Sequence, residues 1–279
     1  METSAFVEAV WRVIQGNPPE RGHPVVMEAP QGADLHELVA GFGAWAGRHR
    51  NLAMGGFVDP SLTERTGLPL VEPFGAAELL EMRGWGYRNR WLGCGLVATP
   101  HGPRAVAVIA HREDPASAGF PEDASWAERL RIVTGWEPIP GPRVDWLSIE
   151  AELGTRLPGD YKEIVDLFGA GSFDEYVELA VPGGPGAGRN PWKGYGPDLV
   201  SGGRLPWGWS EYELGLMWST GATEPDEWTV VTQSDGGDEQ HFDCGAGEFI
   251  LRMLTDVQLG YPMSYASGHF FVSYGPLDF

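Results

Sequence analysis

Glycine and proline interrupt this chain throughout: 40 glycines and 23 prolines stand among its 279 residues. At about 23% of the chain, that density lies just under the range of low-complexity sequence, so it punctuates a fold without abolishing one. Long helices are excluded, and many short elements joined by tight turns are expected. The residues between the breakers are apolar enough to fill a core, 42% being hydrophobic and 11% aromatic. This length suits one large domain or two small ones. The densest breaker cluster is EPIPGPR, Glu137–Arg143, with three prolines in seven residues just before a new periodic segment. It predicts a proline-rich linker over 137–143, between a domain over 1–136 and a second over 144–279.

The cysteines, Cys94 and Cys244, are too few for a disulfide framework and suit a reducing interior. Glu2, Glu8 and Arg12 break up the first fifteen residues, and nowhere do eighteen apolar residues run together. Neither a signal peptide nor a membrane segment is expected, and a cytoplasmic location is. The formal charge of -20 opposes a phosphate backbone, which argues against general nucleic-acid binding. Before Val144 there are 13 basic against 17 acidic residues, and from Val144 onward 6 against 22, so net charges of -4 and -16 fall on the two halves. Such acidity would attract a basic partner, although ordinary solubilising charge accounts for it as simply.

Periodicity gives the first half a mixed α and β character. Phe6, Val10, Val13 and Ile14 line one face of an opening helix that Gly16 ends, and 24–29 reads as a strand. Asp34 and Glu37 form a capping box before Leu35, Leu38, Val39 and Phe42. The runs 91–98 and 105–111, parted by TPHGPR, suit a hairpin, and Ser125 with Glu128 caps another helix. In the second half, Trp146, Ile149 and Leu153 mark a two-turn helix stopped by Gly154. Pro158 opens the next, whose buried stripe is Tyr161, Ile164, Val165 and Phe168. Strands follow at 177–181, 214–218, 227–232 and 240–243, in one antiparallel or mixed sheet. A closing helix carries Ile250, Met253, Leu254 and Val257 and ends near Gly260. The fold class expected is α+β in two domains.

The order of residues in the second half is more specific than this pattern. Trp146 is followed by Ile149 and Glu150, then Leu153 and Gly154, then Leu157 and Pro158 with Asp160, Tyr161 and Lys162, then Gly169 and Gly171. With LPWGWSEYELGLMW, DEWTVVTQ and GEFILRMLTDVQLG further on, 144–260 resembles the SUKH superfamily, the fold of a yeast cell-wall-assembly regulator and of many bacterial immunity proteins. That resemblance implies a SUKH-like module whose helices lead and close the sheet, and a protein partner. It gives these motif residues no catalytic role. Bottom-up they are scaffold: aromatic anchors of a helix pair, a proline at a helix start, and glycines that let helix turn into strand. The stretches 183–203 and 261–279 are where this chain departs from a minimal member.

Several groupings raise chemistry and yield plainer readings. GGPGAGRN, Gly183–Asn190, has Arg189 and Asn190 where a phosphate loop needs lysine and a hydroxyl, and reads as a loop. Asp235, Asp238, Glu239, His241 and Asp243 offer oxygen ligands, yet no EF-hand spacing, around a Gly-Gly hairpin turn. Cys94 with His101 or His111 and Asp114 forms the elements of a thiol–base site, though Cys94 lies within an apolar run. Arg83, Arg88 and Arg90 alternate with Trp85, Tyr87 and Trp91, for which cation–π packing is plainer than strand clamping. No metal or other cofactor is expected.

The reading that results is a non-catalytic protein-binding module. The resemblance makes it an immunity protein that occludes a cognate toxin, and the acidity suits a basic, nuclease-type one. The partner surface is placed on Trp192, Tyr195, Asp198, Trp209, Glu211, Glu213, Asp226 and Glu227, in a stretch dense in aromatics and carboxylates. One alternative makes the first half an enzyme or ligand-binding domain regulated by the second. Another is an intracellular regulatory scaffold without a toxin.

Overall fold

The computed structural model describes residues 2–47, 49–58, 68–74, 78–113, 119–140, 143–184, 190–195, 203–211, 214–222, 224–266 and 268–277. Seven helices and two antiparallel sheets make it an α+β protein over these residues. The chain forms two compact units: Met1–Ser117 with Met253–Ser267, and Ala118–Arg252 with Gly268–Phe279. These do not coincide with the expected stretches 1–136 and 144–279. A proline cluster marks where backbone pairing stops, not which core its flanking helices join.

The first unit contains α1 (Glu2–Gln15), β1 (Val25–Glu28), α2 (Leu35–Ala46), β2 (Arg50–Met54), β3 (Phe57–Val58), α3 (Leu68–Val71), β4 (Leu79–Tyr87), β5 (Arg90–Val97) and β6 (Arg104–His111). Its sheet order is β1-β6-β5-β4-β2-β3. The capping box forms as read, with the Asp34 carboxylate accepting from the Glu37 N–H at 3.1 Å. Phe6, Val10, Ile14, Leu38 and Phe42 pack one face of this sheet, against Trp85, Leu92, Cys94 and Ile109. The other face, with Met82, Trp91, Val106 and Val108, is covered by Leu70, Val257 and Tyr265. Strands β5 and β6 are therefore buried on both sides, which is why both read as unbroken apolar runs.

Val257 and Tyr265 come from far along the chain. The segment holding them is tied to the first unit by polar contacts as well. Gln258 Nε2 donates to the carbonyls of Ala46 at 3.2 Å and Gly86 at 3.5 Å. The buried Arg112 guanidinium reaches the carbonyls of Thr255 at 3.3 Å and Ser264 at 3.4 Å, above the ring of Trp91. Trp91 stacks on Tyr265, centroids 5.6 Å apart.

The second unit contains α4 (Trp126–Thr134), α5 (Trp146–Leu153), α6 (Gly159–Phe168), β7 (Gly171–Phe173), β8 (Val177–Leu179), β9 (Arg204–Ser210), β10 (Gly215–Ser219), β11 (Thr229–Gln233), β12 (Glu239–Phe242) and β13 (Phe271–Ser273). Helix α7 (Ala246–Thr255) begins in this unit, and its last turn is counted with the first. The sheet order is β12-β11-β10-β9-β8-β7-β13. Helix α4 packs on α6, and Trp136 stacks on Phe168 and meets Phe271 edge-on. Those contacts draw the helix before the proline cluster into the second unit. At its centre Tyr161 is enclosed by Trp192, Trp207 and Trp218, with ring centroids 6.1, 6.5 and 5.0 Å away.

Two expectations need correction. Pro158 is the N-cap of α6, one residue before the expected first turn. The closing helix stops at Thr255, where the Asp256 side chain caps a separate 3-10 turn, Val257–Leu259, that Gly260 ends in the left-handed conformation. Within the tail, β13 pairs with β7 and completes the sheet.

Candidate functional site

Several of the family-like motif residues are hydrogen-bonded around the α5–α6 turn of the second unit. Glu150 on α5 accepts from the Leu157 N–H at 2.9 Å and from Lys162 Nζ at 2.7 Å, which fastens the α5–α6 turn. Asp160 accepts from the Tyr161 N–H at 2.7 Å and, across the unit, from the Gly247 N–H at 2.8 Å, where α7 begins. Burial, only partly offset by those two N–H groups, pushes the Asp160 carboxyl above its usual range. Tyr161 Oη donates to the Ala180 carbonyl at 2.8 Å, and burial raises that phenol. Gly154 and Gly169 end their helices at φ 76° and 73°. At Gly171 a Cβ would stand 2.2 Å from the Val272 carbonyl oxygen, so no other residue fits beside β13. Each motif residue thus has a local structural task.

The opposite face of the same sheet is exposed around Trp209, while Ser172 and Val231 on it are buried. Cross-strand register lines up one row over all seven strands: Val272, Ser172, Glu178, Trp209, Gly215, Gln233 and Glu239. Alternation along a strand sends every second side chain to this face, and the register shift between Pro206 and Gly208 of β9 puts Trp207 out of phase with Trp209. Trp209 is 43% exposed here, whereas Trp207 and Trp218 are wholly buried on the other side. Glu178 accepts from Tyr274 Oη at 3.3 Å, and Glu239 accepts from Arg204 at 3.0 Å. The Arg204 guanidinium, foremost through its hydrogen bond, holds Glu239 below the usual carboxylate range.

This geometry divides the expected partner surface. Trp192 is 1% exposed and donates its indole N–H to the Pro206 carbonyl, so it is a core residue and not a surface anchor. Tyr195 is half-buried in the turn after it. Trp209 and Glu211 lie together at one end of β9. Asp226 and Glu227 follow β10 from its far end, about 17 Å away along the strand. The Asp226 carboxylate is engaged there, accepting from the Gly159 N–H at 2.6 Å at the start of α6. Asp198 and Glu213 lie outside the described residues. Glu178 and Tyr274 were missed, although the alternation Val177–Glu178–Leu179 already assigns Glu178 to the face away from the core.

The other groupings resolve into structure. Cys94 is buried in the first unit's core, and burial pushes its thiol up to about 12. His101 sits in the β5–β6 turn and His111 at the far end of β6, about 23 Å of strand apart, so no thiol–base pair assembles. Asp114 lies outside the described residues. The 83–91 stretch is the β4–β5 hairpin, turning at Arg88 with φ 53°. Trp85 is buried and donates to the Gly47 carbonyl at 3.1 Å, and Arg83 pairs with Glu81 at 3.0 Å. In the acidic stretch 234–243, the Gly237 N–H donates to the Ser234 carbonyl at 2.8 Å, closing the β11–β12 turn. Among the described residues, no group of three or more His, Cys, Asp or Glu side chains is placed to hold a metal. In GGPGAGRN, Asn190 bonds Glu152 and the Trp192 N–H, while 185–189 lie outside the described residues. No helix among the described residues is long and apolar enough to cross a membrane.

The first unit carries a cleft of about 780 Å³ between the start of α2 and strands β2, β4 and β5. Leu35, Val39 and Leu96 supply apolar lining, with His36, His49, Glu81 and Arg83 as the main polar groups. Burial, and then the Arg83 guanidinium, hold His49 below its usual range, so it is neutral near pH 7.

Compared with family models, with curated proteins and with solved structures, the chain gives no match.

Proposed function

We propose that this protein is a binding module of SUKH type that neutralises a cognate toxin by occluding it, in the cytoplasm and without turnover. The observation that carries the reading is Trp209: a tryptophan 43% exposed on the outer sheet face, flanked in register by Glu178 and followed by Glu211. An exposed indole amid carboxylates suits an interface anchor, since tryptophan is enriched among the residues that dominate binding energy. The motif residues act as scaffold, which leaves the far face for recognition. The charge of -16 from Val144 onward would steer a basic, nuclease-type toxin, with aromatic contacts then slowing dissociation. Stopped-flow association with the toxin encoded beside this protein tests the proposal. The on-rate falls steeply with salt if steering operates, and a salt-independent rate removes that part. Survival of cells co-expressing the toxin reads neutralisation directly.

The cleft favours a second reading for the first unit, as a small-ligand domain that the second unit serves. Its volume lies within the range of small-molecule sites, and it combines an apolar floor with a few fixed polar groups. Thermal-shift screening against a panel of small amines and carboxylates tests this. A ligand that raises the midpoint in the native protein but not in Arg83→Ala supports it, and a panel without effect counts against it.

A further inference from the structure

We infer that the outer face of the second unit's sheet holds a slot for one basic side chain of a protein partner, arginine above all, walled by the indole of Trp209 and opened by Gly215. The inference rests on the protein-binding reading and names the chemistry of that site. In the cross-strand row the neighbour of Trp209 on β10 is Gly215, followed on β11 by Gln233. This glycine answers no packing demand. Among the described residues, a Cβ built on it would meet only the Gln233 carbonyl oxygen, at an ordinary 3.6 Å, and its φ is not in the left-handed region. Two other glycines of the sheet differ: a Cβ at Gly208 would stand 2.5 Å from the Glu178 carbonyl oxygen, and one at Gly171 would collide with β13. Among the described residues, Gly215 therefore leaves space beside an exposed ring that a larger side chain would fill.

The surroundings select the occupant by charge. Glu178 lies on the other side of the indole, with its carboxylate held by Tyr274 Oη. Glu239 ends the row beyond Gln233, and Glu211 follows Trp209 by two residues. The neighbouring cation, Arg204, is engaged by Glu239. A guanidinium lying in the slot would stack its plane on the indole within the field of these carboxylates, a stacking an ammonium cannot reproduce.

The test uses the full chain labelled with 5-fluorotryptophan, with Trp209→Phe assigning the Trp209 fluorine resonance. The probes are an acetylated Thr-Arg-Thr-Arg-Thr amide and its citrulline counterpart, which keeps the shape and loses the charge. The Trp209 resonance should move with the arginine peptide and need about fivefold more of the citrulline peptide for the same shift. Gly215→Leu should abolish the movement while the thermal midpoint holds. A resonance that ignores the arginine peptide, answers both peptides equally or still moves in Gly215→Leu overturns the slot. Toxin co-expression separates this from the reading beneath it. Where wild type protects cells, protection kept by Gly215→Leu overturns the slot and leaves the binding function standing, while protection lost with the fold intact supports both. Where wild type does not protect, the toxin reading fails and the peptide titration alone judges the slot.

Discussion

Cutting the chain at its proline cluster should leave a first half that does not fold. Residues 1–136 contain every strand of the first sheet yet lack the segment 253–267 that closes one of its faces. Three side chains of that segment, Val257, Met263 and Tyr265, are 6%, 5% and 3% exposed. At about 1.5–3 kcal/mol for each such side chain, their loss removes about 4–9 kcal/mol. Gly86 shows how closely the segment seats, since a Cβ there would lie 2.7 Å from Val257 Cγ1. Arg112 would also lose the Thr255 and Ser264 carbonyls, at a cost of about 1–3 kcal/mol if it stays buried. Together these match the whole stability of an ordinary domain, about 5–15 kcal/mol. Circular dichroism and amide NMR should therefore show 1–136 expanded and poorly dispersed. Joining 253–267 to residue 117 through a flexible linker should restore dispersion and a cooperative urea transition. A dispersed spectrum from 1–136 alone, with the native protein's urea midpoint, would refute the reasoning.

On the second unit, Trp209→Ala should leave the urea midpoint nearly unchanged, while Trp207→Ala, two residues away on the buried face, should cost about 3–5 kcal/mol; equal losses would mean that the two faces of β9 are misassigned. Gly171→Ala should destabilise by about 1–3 kcal/mol or more, because the added Cβ meets the Val272 backbone and cannot be relieved by a rotamer change. Deletion of 268–279 should then make that substitution harmless. Burial pushes the thiol of Cys94 to about 12 and that of Cys244 to about 11, so neither should react with Ellman's reagent at pH 8 until guanidinium unfolds the chain. The raised values also fix a sign: the stabilisation from keeping each thiol neutral is whole below about pH 9 and is lost as pH climbs toward the folded-state value. Denaturant midpoints measured from pH 8 to 10.5 should fall accordingly, and a flat profile would remove burial as the cause.

What the sequence displayed, and what it hid, follows from the range of the forces involved. Helices α2 and α4 were legible because their caps are local chemistry, Asp34 and Ser125 each accepting from the N–H three residues on, and α5 and α6 because their apolar stripes run to a terminal glycine. Strand β4 was not, and β9 only through the resemblance, which reads LPWGWSEYELGLMW as central strand, because LLEMRGWGY and RLPWGWS carry glycine and proline, which read as breakers. In β4 the glycines exist for close approach, since a Cβ at Gly84 would stand 2.7 Å from Leu52 Cδ1. In β9, Pro206 has no N–H for the ladder; the register with β10 shifts there, and Trp192 occupies its carbonyl. Those demands come from residues 14 to 32 positions away, and no local pattern encodes them. The return of 253–267 to the first sheet is more remote still, and nothing at Gly86 announces Val257 in advance. The recognition face falls between these cases. Alternation around Glu178 was visible, but its meeting with Trp209 and Gly215 depends on the register of three strands. Register is set by the buried face of a sheet, where Leu205 and Trp218 lock β9 to β10. The exposed row is its consequence, so altering that buried pair would misalign Trp209 and Gly215 without touching either.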